Sequence, residues 1–189
     1  MATVLGMISR KGGAGKSTIT KLLASAFAFT DHKCLIIDLD PSKDIVNWWV
    51  TANETGYADK NIIVRAPTDA DDLFDLVSRY EDEVEFIIID TKGEGSSWAV
   101  DLASVSDVLI VPCMNAKGDR ERTKETLEWH QDLKRRAENP DSIPPLRIVL
   151  SRVKPNLLTH VRGNPKPKDL AAREFERHYE IIDQFNPLA

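Results

Sequence analysis

Residues 9–18 read Ser-Arg-Lys-Gly-Gly-Ala-Gly-Lys-Ser-Thr, and this stretch constrains the fold more than any other. An apolar run over residues 4–8 precedes it and reads as a buried strand. Residues 19–29 follow with apolar side chains at helical spacing. Strand, glycine loop and helix is the setting of a phosphate-binding loop. Gly12, Gly13 and Gly15 let the backbone curl so that its N–H groups point inward. With the helix N-terminus, those groups form a cradle for an anion. Lys16 is placed to reach the β- and γ-phosphates as a point charge. Ser17 offers a hydroxyl to a magnesium ion that bridges phosphate oxygens. The usual loop has a glycine where this chain has Arg10, and Lys11 adds a second lysine at the loop entrance.

The rest of the chain alternates strands and helices. The pattern predicts strands over 4–9, 34–40, 61–65, 85–90, 108–112 and 146–151. It predicts helices over about 15–30, 42–52, 68–82, 96–105 and 119–137. Ile19, Leu22, Leu23, Ala26 and Phe27 form the expected inner stripe of the first helix, and Ser42 or Asp44 its successor's cap. In the third helix Leu73, Leu76, Val77 and Tyr80 share a side, and Thr68 or Asp69 starts it. Residues 85–90, Glu-Phe-Ile-Ile-Ile-Asp, suit a strand buried on both faces. Such alternation implies an α/β, three-layer fold: a mostly parallel central sheet with helices on both faces. Ligands then bind beyond the carboxyl ends of the strands. The glycine loop, Asp38, Asp40 and Asp90 all fall at such ends.

With 189 residues, 42% of them hydrophobic, a single domain over 1–189 is expected, its motif-bearing core spanning 2–154. Residues 155–189 are less typical: a loop carrying Pro155, Gly163, Pro165 and Pro167, then a helix over 168–184. No run reaches the roughly 18 apolar residues of a membrane span, and residues 1–8 are too short and uncharged for a secretory signal. A cytoplasmic chain follows. Cys34 and Cys113 form neither a disulfide framework nor a metal pattern, and read as small core residues. His32, His130, His160 and His178 show no ligand spacing and read as surface or helix residues; Trp48 and Trp49 read as packing residues. Net charge is −5, unevenly spread: −8 over residues 1–116 and +3 over 117–189. A basic remainder suits contact with DNA backbone, although from charge alone a solvated surface is the favoured reading.

Phosphoryl transfer requires a phosphate cradle, a lysine, magnesium and a residue that orients water. Asp90, after an isoleucine run, has the form of a magnesium-side aspartate; Asp38 is a further magnesium candidate. Asp40 is the candidate for orienting the attacking water. Each aspartate also suits a turn former.

Lys-Gly-Gly-Ala-Gly-Lys-Ser at 11–17 resembles the deviant Walker A loop of the ParA/MinD family of ATPases. Ile-Ile-Asp-Leu-Asp-Pro at 36–41, Phe-Ile-Ile-Ile-Asp-Thr at 86–91 and Asp-Val-Leu-Ile-Val-Pro at 107–112 are similar to further blocks of that family. Trp48 and Trp49 resemble the short plasmid-partition ParA proteins in particular. The resemblance implies ATP or ADP with Mg2+ as cofactors, held through Lys11, Gly12, Gly13, Ala14, Gly15, Lys16, Ser17, Thr18 and, near the adenine, Arg152. It implies catalytic roles for Lys11, Lys16 and Asp40, with Lys11 reaching the phosphates of a partner's ATP. It further implies an ATP-bound homodimer, non-specific DNA binding and slow hydrolysis stimulated by a centromere-binding, ParB-like protein. The cycle would be nucleoid-associated and would segregate plasmid or chromosomal DNA.

The chain departs from the family pattern in four places: Ser42 replaces a glutamine, Thr91-Lys92-Gly93 replaces the common continuation, Ser151 replaces an asparagine, and 155–189 lacks the usual ending. Lys134, Arg135, Arg136 and the run from Arg147 through Lys168 hold most of the candidate DNA contacts, Arg152, Lys154 and Arg162 foremost. The last helix, with Glu174, Glu176, Glu180 and Asp183, suits anionic lipid poorly, so no membrane partner is expected. The alternatives keep the engine with another cargo (a protein assembly or conjugative DNA), or make the chain a metabolic ATP-dependent enzyme of the dethiobiotin synthetase type. An iron–sulfur carrier is set aside because both cysteines sit at strand edges.

Overall fold

The computed structural model describes residues 1–92, 98–114 and 116–152. Six strands form one sheet among them: β1 (Thr3–Met7), β2 (Cys34–Asp38), β3 (Ile62–Arg65), β4 (Phe86–Asp90), β5 (Val108–Cys113) and β6 (Leu146–Leu150). Their spatial order is β3-β2-β4-β1-β5-β6, and every pairing is parallel. Five helices connect them: α1 (Lys16–Phe29), α2 (Asp44–Glu54), α3 (Ala70–Tyr80), α4 (Ala99–Val105) and α5 (Lys117–Arg136). A 3-10 turn, Pro140–Ser142, leads from α5 to β6. The expected α/β architecture with helices on both faces is therefore the one observed. The proline-rich loop, Lys154, Arg162, His160, His178 and the helix expected over 168–184 lie outside the described residues.

Two apolar cores flank the sheet because the strands present apolar side chains to both faces. On one face Ile87, Ile89, Leu35 and Ile37 pack with Leu73 of α3, Leu102 of α4 and Leu127 of α5. On the other, Met7, Ile36, Ile88 and Ile110 pack with Ala24 and Ala28 of α1 and Ile45 of α2. Phe27 stacks on Phe86 there, ring centroids 3.8 Å apart. Cys34 and Cys113 are buried thiols, as expected, and burial pushes the Cys34 thiol up to about 12. Trp48 and Trp49 pack half-buried against the second core.

Three local expectations are corrected. In α1 the residues turned fully inward are Lys16, Thr20, Ala24 and Ala28, while Leu22 and Ala26 are exposed. A line of small residues at i, i+4 spacing lets this helix approach the sheet closely, with the larger Ile19, Leu23 and Phe27 wedged at its side. In α2 neither Ser42 nor Asp44 caps the helix. Lys43 holds the cap position at φ 56°, and the acceptor for Val46 N–H is Asp38 Oδ2 at 3.2 Å. In α5 the histidine His130 is buried, its Nε2 2.8 Å from the Pro144 carbonyl oxygen. At α3 the choice left open resolves to Asp69, whose Oδ1 accepts from Asp72 N–H at 2.9 Å.

Pro112 lies inside β5, where it donates no ladder bond. The β1–β5 pairing ends at Met7 and Ile110, so by Pro112 only β6 remains alongside. Gly6 of β1 has a different purpose. A Cβ there would lie 2.5 Å from Ser106 Oγ, 2.9 Å from Leu109 Cδ2 and 3.0 Å from Leu102 Cδ1. The missing side chain is what lets the end of α4 press onto the sheet beside the strand that delivers the glycine loop. Gly6→Val is accordingly expected to destabilise the fold by about 3 kcal/mol, Gly6→Ala by less, read as shifts in the urea midpoint with unchanged slope.

Candidate nucleotide-binding site

The loop between β1 and α1 is shaped by two positive-φ glycines. Gly13 has φ 74° and Gly15, the cap residue of α1, φ 96°. No side chain caps this helix N-terminus, so its first-turn N–H groups are presented toward a ligand. The loop entrance is pinned locally: Lys11 N–H donates to Ser9 Oγ at 3.1 Å. It is also pinned at long range, since Arg10 N–H donates to Thr126 Oγ1 of α5 at 3.3 Å.

Behind the loop stands a buried charge cluster. Lys16 begins α1 and is only 6% exposed. Burial lowers its pKa, while the charges of Asp90 and then Asp40 raise it. Asp90, at the tip of β4, is fully buried. Its Oδ2 accepts from Ser17 Oγ at 2.6 Å and its Oδ1 from Thr20 Oγ1 at 3.3 Å. Burial pushes the Asp90 carboxyl up to about 6, against the Ser17 bond and the Lys16 charge, which lower it. Asp38 pairs in register with Asp90 on the adjacent strand. Its Oδ1 accepts from Asp40 N–H at 3.0 Å and its Oδ2 from Val46 N–H, so it fixes the turn that carries Asp40. Burial raises its pKa, and those bonds oppose the rise. Asp40 is half-buried; its Oδ1 accepts from Ser42 N–H at 2.9 Å.

The sequence-derived candidates therefore separate into groups. Lys16, Ser17, Asp38, Asp40 and Asp90 converge at the carboxyl edge of β2, β4 and β1. Gly12, Gly13, Ala14, Gly15 and Thr18 form the loop and the start of α1 beside them. Arg152 stands further along that edge, after β6, at φ 54°. Next to it the buried Ser151 Oγ has no hydrogen-bond partner among the described residues and lies 4.0 Å from where a Gly15 Cβ would be. Lys11 is directed elsewhere: its Nζ lies 2.6 Å from Asp119 Oδ1 in the first turn of α5. Sequence reasoning missed Thr20, Thr91 and Asp119. Thr20 carries a readable signal, lying one helical turn from Ser17. Thr91 Oγ1 donates to the Met7 carbonyl at 2.7 Å and Asp119 meets Lys11 across 108 residues, and no local pattern reveals either contact.

The donors suit the group that the motif implies. A hydroxyl and buried carboxylates offer hard oxygen ligands, the set magnesium takes together with water and phosphate oxygens. Among the described residues no cluster of three or more His, Cys, Asp or Glu could hold a metal ion by itself. Lys16, the first-turn N–H groups and the open glycine loop offer an anion both charge and hydrogen bonds.

A pH dependence follows for the protein without nucleotide or divalent cation. Asp90 titrates near 6 in the fold against an ordinary 3.8. The folded state binds its proton more tightly, so this contribution to stability is present below about pH 4 and lost as pH rises through 6. The stability of Asp90→Asn relative to the unaltered chain is expected to rise by on the order of 2–3 kcal/mol between pH 4 and 7, measured by urea unfolding at each pH.

Among the described residues, no helix is long and apolar enough to cross a membrane. The chain is 24% identical over 160 residues to Protein ParA of Rhizobium radiobacter, covering 83% of this chain and 68% of that protein. It is 26% identical over 130 residues to Protein virC1 of Rhizobium rhizogenes, covering 67% of this chain and 55% of that one. Two solved structures share its fold. The Cyanothece McdA(D38A)–ATP complex has TM-score 0.71 at 16% identity, covering 97% of this chain and 80% of that one. The ParA of pNOB8 bound to nonspecific DNA has TM-score 0.69 at 14% identity, covering 98% and 77%. Residues 5–164 match the CobQ/CobB/MinD/ParA nucleotide binding domain, and the chain is a P-loop protein of that ParA/MinD family.

Proposed function

We propose that this chain is an ATPase that binds Mg-ATP in the β1–α1 loop, hydrolyses it slowly, pairs face to face with a second copy when ATP is bound, and acts in DNA partition. The observation that carries the reading is the buried Lys16–Asp90–Ser17 cluster directly behind an uncapped helix N-terminus. Lys16 and the loop N–H groups hold the phosphates. Ser17 and Asp90, with Asp38 behind them, are the residues that would hold magnesium; when bound, the ion offsets phosphate charge. Asp40 sits on the turn braced by Asp38 and orients the attacking water. Lys11, at the loop entrance, reaches the phosphates of the second copy's nucleotide. The basic end of α5, Lys134-Arg135-Arg136, and Arg152 supply charge for DNA backbone, which needs no base code. Likeness to ParA proteins supports the partition role and a centromere-binding partner that accelerates hydrolysis.

The test is sizing by analytical ultracentrifugation with ATP, ADP or no nucleotide, with and without non-specific DNA. A dimer is expected with Mg-ATP alone, and DNA retention that falls steeply with salt. Lys16→Ala is expected to abolish nucleotide binding, and Asp40→Ala to hold ATP as a trapped dimer. A monomeric Asp40→Ala protein at saturating ATP would refute the paired mechanism. A dimer that ignores DNA favours another cargo, and turnover that needs an added organic acid favours a metabolic enzyme.

A further inference from the structure

The two lysines of the loop face different carboxylates. Lys16 lies in the field of Asp90 and Asp40. The Lys11 ammonium is instead held 2.6 Å from Asp119 Oδ1, with the lysine side chain 39% exposed and the aspartate 5%. A second bond fastens the same loop to the same helix, from Arg10 N–H to Thr126 Oγ1. Thr126 is itself buried, and its hydroxyl donates to the Arg122 carbonyl at 2.9 Å. The entrance of the glycine loop is thus bound to α5 at two points.

From this we infer that Asp119 is a positioning residue that restrains Lys11 within its own chain and sets the threshold for nucleotide-driven pairing of two copies. The inference rests on the assignment of Lys11 to the second copy's phosphates. Asp119 and a phosphate oxygen are both anions that compete for one ammonium. If Lys11 turns to a phosphate, Asp119 is left as a buried carboxylate without its cation, a costly state. A carboxylate beside the approach of a second triphosphate also repels it. Both effects raise the cost of nucleotide-driven pairing, and both vanish when Asp119 loses its charge. The carboxylate occupies the first turn of α5, where the helix N-terminus favours a negative charge, and is placed to recapture Lys11 after phosphate release.

The experiment measures the dimer dissociation constant with Mg-AMPPNP by analytical ultracentrifugation. Asp119→Asn is expected to tighten it by roughly three- to tenfold, the scale of a partly exposed ion pair. Asp119→Glu, which keeps the charge, is expected to restore the wild-type constant. Lys11→Ala is expected to stay monomeric, with or without Asp119→Asn. Thermal melts check folding, and Asp119→Ser replaces the asparagine variant if that one melts early. Unchanged or weaker pairing by a folded neutral variant overturns the restraint, as does tightening that persists in the Lys11→Ala background. A Lys11→Ala protein that pairs like the wild type overturns the assignment of Lys11 itself, and is thereby distinguished from failure of the restraint alone.

Discussion

The structure depends on a charge arrangement that water normally forbids. One ammonium, Lys16, and two carboxylates, Asp38 and Asp90, are sealed at the carboxyl edge of a parallel sheet. Isolated, each would be prohibitively costly to bury. Lys16 offsets the charge of Asp90 and Lys43 that of Asp38, and hydroxyls and backbone N–H groups supply hydrogen bonds to both carboxylates. Ser17 and Thr20 serve Asp90; Asp40 and Val46 N–H groups serve Asp38. The raised carboxyls show that the offset is incomplete. The nucleotide and magnesium proposed for this site would supply the charge and hydrogen bonds that it still lacks.

Geometry elsewhere serves that edge. The small residues Thr20, Ala24 and Ala28 bring α1 close to the sheet, which aims its N-terminus and Lys16 at the strand tips. Gly6 admits α4 on the opposite face, so β1 is gripped from both sides where it hands the chain to the loop. Asp38 is both a member of the charge cluster and the distant cap of α2, so one buried carboxylate organises a strand tip, a turn and a helix start.

Much of this was legible in the residue order. The glycine loop, the aspartates at strand ends and the isoleucine-rich β4 each announce themselves within a few residues, because their physics is local. The α1 face was not legible in the same way. Hydrophobic periodicity weights Leu22 and Ala26, whereas close packing selects for small volume and for the buried lysine, which a hydropathy pattern counts as outward. The α2 cap escaped because its acceptor lies on β2, outside the helix it serves. Asp119 escaped for the same reason at greater range: an acid in a first helical turn reads as an ordinary dipole partner, and only the folded chain shows the lysine beside it.

The double attachment of the glycine loop to α5 has a mechanical consequence. This helix runs 20 residues, about 30 Å, as one rod. Asp119 meets the loop from its first turn and Thr126 from its middle; its far end carries three consecutive cations. From Thr126 to that basic tip is about 15 Å, so a tilt of about 10° about Thr126 would shift the tip by only about 2.6 Å. The helix that braces the loop entrance is thus the same rigid element that carries this cluster of positive charge.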